Sequence, residues 1–169
     1  MILVKKKKVI VWSVIALLVV ALAAWRVWPR SIDSYLKQPS QNTVWVGGSL
    51  NEIKLEDGQT THRLYEIDVE TEEGIRHVLD ILRRGRYQAS LTNLLPWTWG
   101  KLGSGRGYDG RTITLCASFH ATTPEDAEAS IFTFVGSDRA TVDDRRIVPM
   151  GNETFEELAQ YIKANGREK

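Results

Sequence analysis

Cysteine is nearly missing from this chain: Cys116 is the only one in 169 residues. No disulfide can form within the chain, and no cluster of thiolates can hold zinc. Acidic residues are missing from the N-terminal end. All 21 Asp and Glu lie beyond position 30, whereas six of the 22 Lys and Arg (Lys5 to Lys8, Arg26 and Arg30) lie at or before it. Residues 31–169 therefore hold 16 basic against 21 acidic side chains. That balance argues against nucleic acid as a partner, because phosphate binding needs a basic surface. It also argues against broad adhesion to anionic lipid. There is no G-x-x-x-x-G-K-[ST] loop, and His62, His77 and His120 show neither H-x-x-x-H nor H-E-x-x-H spacing. No cofactor and no metal are expected from these patterns. Internal repeats and long low-complexity tracts are absent as well.

One long apolar run is present. Val9 to Trp25 contains a single polar residue, Ser13. A helix continued to Trp28 rises about 30 Å, the thickness of a bilayer's hydrocarbon core. Lys5, Lys6, Lys7 and Lys8 precede it, and lysine clusters stay on the cytoplasmic side. Trp12 at the inner end and Trp25 and Trp28 at the outer end sit where interfacial aromatic anchors belong. Arg26 can snorkel outward, and Pro29 stops the helix. The expected organisation is a basic cytoplasmic tail over 1–8, a transmembrane signal-anchor over 9–28, a stalk over 29–48 and an extracytoplasmic domain over 49–169. The localisation is then the plasma membrane, single-pass, with the N-terminus inside. A charged start, an apolar core and Ala21-Leu22-Ala23 also fit a secretory signal cleaved after Ala23, which would release the same domain. The length of the run and its tryptophans favour the anchor.

Beyond the anchor the pattern is mixed. Ser49–Glu56 and His62–Val69 flank Asp57-Gly58, a hairpin signal. Thr43–Val46 reads as a short first strand or an arm. Thr71–Arg84 has apolar residues at Ile75, Val78, Leu79 and Leu82, the spacing of one helix face. Thr71 can cap it, Glu72 and Glu73 suit its positive end, and Gly85 closes it. Tyr87–Leu95 reads as a further strand. Arg111–Phe119 alternates as a half-buried strand, with Ile113, Leu115, Ala117 and Phe119 on one side. Ser130–Val135 and Arg145–Val148 are two more strands, and Asp143-Asp144 marks a solvated turn. Thr154–Ala164 is a second helix with Phe155, Leu158, Ala159 and Ile162 on its inner face, capped by Asn152 or by a Thr154/Glu157 box. Short connections favour an antiparallel sheet with both helices on one face, an α+β domain.

Chemistry-bearing residues are few. Pro96–Gly110 is rich in glycine and carries Trp97, Trp99 and Tyr108, a candidate surface for a cell-wall glycan or an envelope protein. Packing of those tryptophans onto the core is the competing expectation. Gly105 to Gly110 spells G-x-G-x-x-G, but a strand follows it, so the helix amides of a dinucleotide site are missing. Asn152-Glu153-Thr154 matches the glycosylation pattern, which matters only in a host that has that machinery.

The Lys-rich anchor, the paired strands, the Glu72–Leu79 helix pattern and the closing Phe155, Leu158, Tyr161, Ile162 pattern resemble small bacterial membrane-anchored extracytoplasmic domains of unknown function. That resemblance implies no activity. Thr114-Leu115-Cys116, with His62 upstream and Arg145 downstream, also resembles the sortase pattern. It implies a thiolate nucleophile, a histidine acid/base and an arginine at the oxyanion. One motif residue is missing, the arginine follows at a longer interval than in that family, and two helices do not suit its mostly-β fold. The expected role is a non-catalytic binding or interaction module, with the thiol enzyme as an alternative.

Overall fold

A computed structural model of the chain describes residues 2–26, 28–56, 58–90, 109–120 and 128–169. The first helix, α1, runs Ile2–Arg26. Two single 3-10 turns follow, at Ile32–Ser34 and Ser40–Asn42. Then come β1 (Thr43–Glu56), β2 (Gln59–Val69), α2 (Glu72–Arg84), β3 (Tyr87–Ala89) and β4 (Arg111–Phe119). The chain closes with β5 (Ala129–Val135), β6 (Ala140–Val142), β7 (Arg145–Pro149), α3 (Glu153–Asn165) and β8 (Arg167–Glu168). The strands form one antiparallel sheet in the order β3-β7-β6-β5-β4-β1-β2-β8. The α+β class and the antiparallel sheet agree with the sequence pattern.

Side-chain alternation gives the sheet two unlike faces. One row of cross-strand neighbours runs Tyr65, Leu50, Ile113, Phe134, Ala140, Ile147 and Ala89. Leu50, Ile113, Phe134, Ala140 and Ile147 in it are buried. This is the inner face. α2 packs on β1, α3 packs on β1, β2 and β4, and the two helices pack on each other. Their buried faces are Ile75, Val78, Leu79, Ile81 and Leu82 on α2, and Phe155, Leu158, Ala159 and Ile162 on α3. Thr71 caps α2 by accepting from the Gly74 amide at 3.3 Å. Asn152 makes no side-chain cap on α3, and Thr154 lies buried within that helix, so neither expected cap forms. Gly48 on the inner face has no room for a Cβ, which would strike the Leu115 side chain and the Thr114 carbonyl.

Residues 29–48 are not a stalk. Arg30 forms a β-bridge with Tyr87. Ile32 is 0 % exposed and belongs to the core. Ser40, also buried, accepts from Arg83 Nε at 3.0 Å and from Nη2 at 2.6 Å, which ties the second 3-10 turn to α2. The backbone amide of Lys37 reaches Ser130 Oγ on β5. Thr43–Val46 and Ser49–Glu56 are a single strand running through Gly47-Gly48. The part before β1 reads as polar because Ile32 is the one buried apolar side chain between 29 and 42, and the partners that bury it are distant in sequence. β6 and β8, three and two residues long, carry too little pattern to be expected.

Every described side chain of α1, those of 11–25, is exposed. Among the described residues no helix is long and apolar enough to cross a membrane.

Replacing Ile32 with Ala tests whether this segment belongs to the core. Urea unfolding of the intact chain in mild detergent should show a loss of about 2–4 kcal/mol, as for other buried Ile deletions. A stalk residue would change stability by less than about 0.5 kcal/mol.

Candidate functional site

The residues expected to carry thiol chemistry do not meet. Cys116 lies on the outer face of β4, opposite Gly47 on one side and Ile131 on the other. Gly47 in turn faces Asp68 on β2. His62 faces Ile53, six positions further along β2, which at about 3.3 Å per residue is about 20 Å away. Arg145 faces Val142 and shares the inner face, whereas Cys116 is on the outer one. Burial, then the charge of Asp143, pushes the Cys116 thiol up. Both effects work against a thiolate. Trp97, Trp99 and Tyr108 lie outside the described residues. His77 stacks on Tyr161, with ring centroids 5.1 Å apart. His120 stands just beyond β4, its amide donating to the Asn42 carbonyl. No group of three His, Cys, Asp or Glu among the described residues is placed to hold a metal.

A charged cluster that sequence reasoning missed closes one end of the helix face. Arg111, the first residue of β4, donates from Nη1 and Nη2 to the two Glu156 oxygens at 2.8 and 2.6 Å. Its Nε donates to Asp109 at 2.7 Å, and its guanidinium lies 4.9 Å from the centroid of the Phe155 ring. Beside it, Glu52 is 3 % exposed and pairs with Lys163 Nζ at 2.7 Å. Chemically this is a clamp. A two-pronged carboxylate pair fixes the first turn of α3 to the end of the sheet, and Glu52 does not remain an uncompensated buried charge. The Glu156 hydrogen bonds push the Arg111 guanidinium further up its scale, and the Arg111 bonds hold the Glu156 carboxyl below its usual range. Asp109-x-Arg111 is visible locally in the sequence, but nothing there joins it to Glu156, 45 residues on.

The second missed feature is the junction between α1 and the sheet. Arg30 exchanges both backbone hydrogen bonds with Tyr87, at 2.8 and 2.9 Å. Its Nη2 donates to the Trp25 carbonyl at 3.1 Å, and its guanidinium lies 4.7 Å from the centroid of the Trp25 ring. One residue thus satisfies a carbonyl in the last turn of α1 and extends the sheet by a bridge. Tyr87 is itself immobilised: it is fully buried, and its hydroxyl donates to the Leu82 carbonyl at 3.0 Å. Burial pushes that hydroxyl up, against the opposing effect of a hydrogen bond with Thr154.

No family model, curated protein or solved structure matches this chain.

Two measurements follow from this geometry. Glu156 has a depressed pKa when folded, so its contribution is fully present above the unfolded carboxyl value of about 4.3 and is lost as pH falls through the lower folded value. Acid titration of stability should therefore be shallower in Glu156→Gln than in the parent. Equal slopes would mean that the clamp contributes nothing. Cys116 should react with a disulfide reagent at pH 7.5 at least about 10-fold more slowly than a free thiol. Faster reaction than the free thiol would revive a nucleophilic role.

Proposed function

We propose that the chain is a single-pass membrane protein whose α+β domain stands outside as a non-catalytic binding or interaction module. The observation that carries this reading is the surface of α1. Trp12, Val14, Leu17, Leu18, Val19 and Val20 are all at least 50 % exposed, and at about 100° per residue they point all round the helix. A helix apolar on all sides needs either a large protein core or a bilayer around it. Here the domain supplies no core for it. Lys5 to Lys8 at the other end of the run set the orientation, with the N-terminus in the cytoplasm and the domain in the plasma membrane's outer space.

The binding role is supported by the character of the exposed sheet surface. Opposite the helices, the outer face of β1, β4 and β5 presents Ser49, Thr112, Thr114, Ser118 and Thr133, all half-exposed. Such a face offers hydroxyl donors and acceptors to a polar partner of the envelope, whether a protein or a glycan. Its single thiol is pushed away from the reactive form. The register that keeps His62 and Arg145 from Cys116 weighs against the thiol-enzyme alternative.

Protease added to the outer side of sealed cytoplasmic membranes should digest the domain and leave an N-terminal fragment of about 30 residues, the length a span and its flanks protect. The fragment should remain after alkaline carbonate washing. Replacing Lys5 to Lys8 with Gln should increase the fraction of chains whose domain is protected, because the charge bias is gone. A domain that resists protease until the membrane is lysed would contradict the orientation.

A further inference from the structure

The geometry points to a bilayer-facing edge on the domain: the β3–β7 edge rests on anionic phospholipid headgroups, with Arg86 and Arg145 as the contacts. This inference rests on the anchor reading. Its starting point is the shortness of the junction. α1 ends at Arg26, and by Arg30 the chain is already hydrogen-bonded to Tyr87 on β3. Four residues span at most about 14 Å, and neighbouring strands lie about 4.8 Å apart. β3 is therefore within a headgroup layer's reach of the helix end. Arg30 also grips the Trp25 carbonyl and ring, which limits the freedom of that short link.

This edge combines exposed arginines with exposed apolar side chains. Arg86 precedes Tyr87 directly, and its carbonyl accepts from the Met150 amide at 2.8 Å. Arg145 opens β7, at the end of that strand away from Arg86. Both arginines are exposed, and neither has an ion-pair partner among the described residues. Met150 and Val148, on the outer face beside Arg86, are exposed apolar side chains, 53 % and 36 % accessible. What sets this group apart is its place, at the one edge the anchor holds close to lipid. Arginine presents a guanidinium fork that suits phosphate, and methionine can sit among acyl glycerol groups. The opposite edge, β8, is seven strand positions away, about 34 Å by the ordinary strand spacing. There Glu168 pairs with Arg63 and Lys169 with Glu66, while Arg167 is exposed with no ion-pair partner among the described residues.

The test uses the intact chain in vesicles of phosphatidylcholine with phosphatidylglycerol. In a Cys116→Ser background, Met150→Cys and Glu168→Cys variants are each labelled with an environment-sensitive fluorophore. A spin label on the lipid headgroup should quench the probe at position 150 several-fold more than the probe at position 168, and aqueous iodide should show the reverse order. Adding Arg86→Glu and Arg145→Glu should bring quenching at 150 down to the level at 168 while the chain stays in carbonate-washed vesicles. Equal quenching at both positions in a chain that stays inserted would overturn the edge contact and leave the anchor standing. A chain that washes out of the vesicles would overturn the anchor and the edge contact together. Undiminished quenching at 150 in pure phosphatidylcholine would also overturn the proposal, because anionic headgroups would then not be what the edge meets.

Discussion

Keeping one face of a single antiparallel sheet out of water is the constraint on which this fold depends. The row from Leu50 through Ile113 and Phe134 to Ile147 crosses most of the sheet, and its members are each less than about 3 % exposed. Burial of each large side chain contributes about 1.5–3 kcal/mol. Two 13-residue helices are too little to cover eight strands. The segment from Arg30 to Asn42 completes the cover, with Ile32 in the core and Ser40 gripped by Arg83. The clamp of Arg111 on Glu156 then fixes where α3 starts, so the helix layer cannot slide along the sheet.

This way of covering the core has a consequence for α1. Because the residues after the helix are built into the domain, the helix and the sheet share a joint and are not separated by a tether. Arg30 is that joint: its backbone belongs to the sheet edge and its side chain to the last turn of the helix. If the helix is anchored as proposed, a partner at the outer sheet face would meet a surface whose distance from the bilayer is set by packing, not by linker length. The hairpin of β1 and β2 reaches beyond the end of β4, with Leu55 at 75 % exposure near its tip.

Much of this architecture is legible in the sequence where the signal is local and periodic. Glu56 faces Gln59 across the two strands, the register that the Asp57-Gly58 signal predicts, and Gly58 takes a positive φ. β4 buries Ile113, Leu115, Ala117 and Phe119 as its alternation expects, and both helix faces match their apolar spacing, with Ile81 added. Asp143-Asp144 is a turn as expected, with both residues at positive φ, but Asp143 is not simply solvated: its carboxylate accepts from Ser130 Oγ and from the Ile131 amide. What stays illegible depends on long-range partners. Ile32 sits among polar residues, Arg30 looks like a helix flank, and Arg111 gives no hint of Glu156. The functional residues fare worst for the same reason. Type and spacing nominated Cys116, His62 and Arg145, and only the strand register shows that they occupy different places.

The measurement that bears most directly on the central claim is the intact mass of the protein in carbonate-washed membranes and in the surrounding medium. An anchored chain requires a membrane-bound species of 19.1 kDa that retains Lys5 to Lys8. A shorter species beginning at Ala24 and found in the medium would contradict it, and would also remove the Trp25 carbonyl and ring from the helical turn that Arg30 grips.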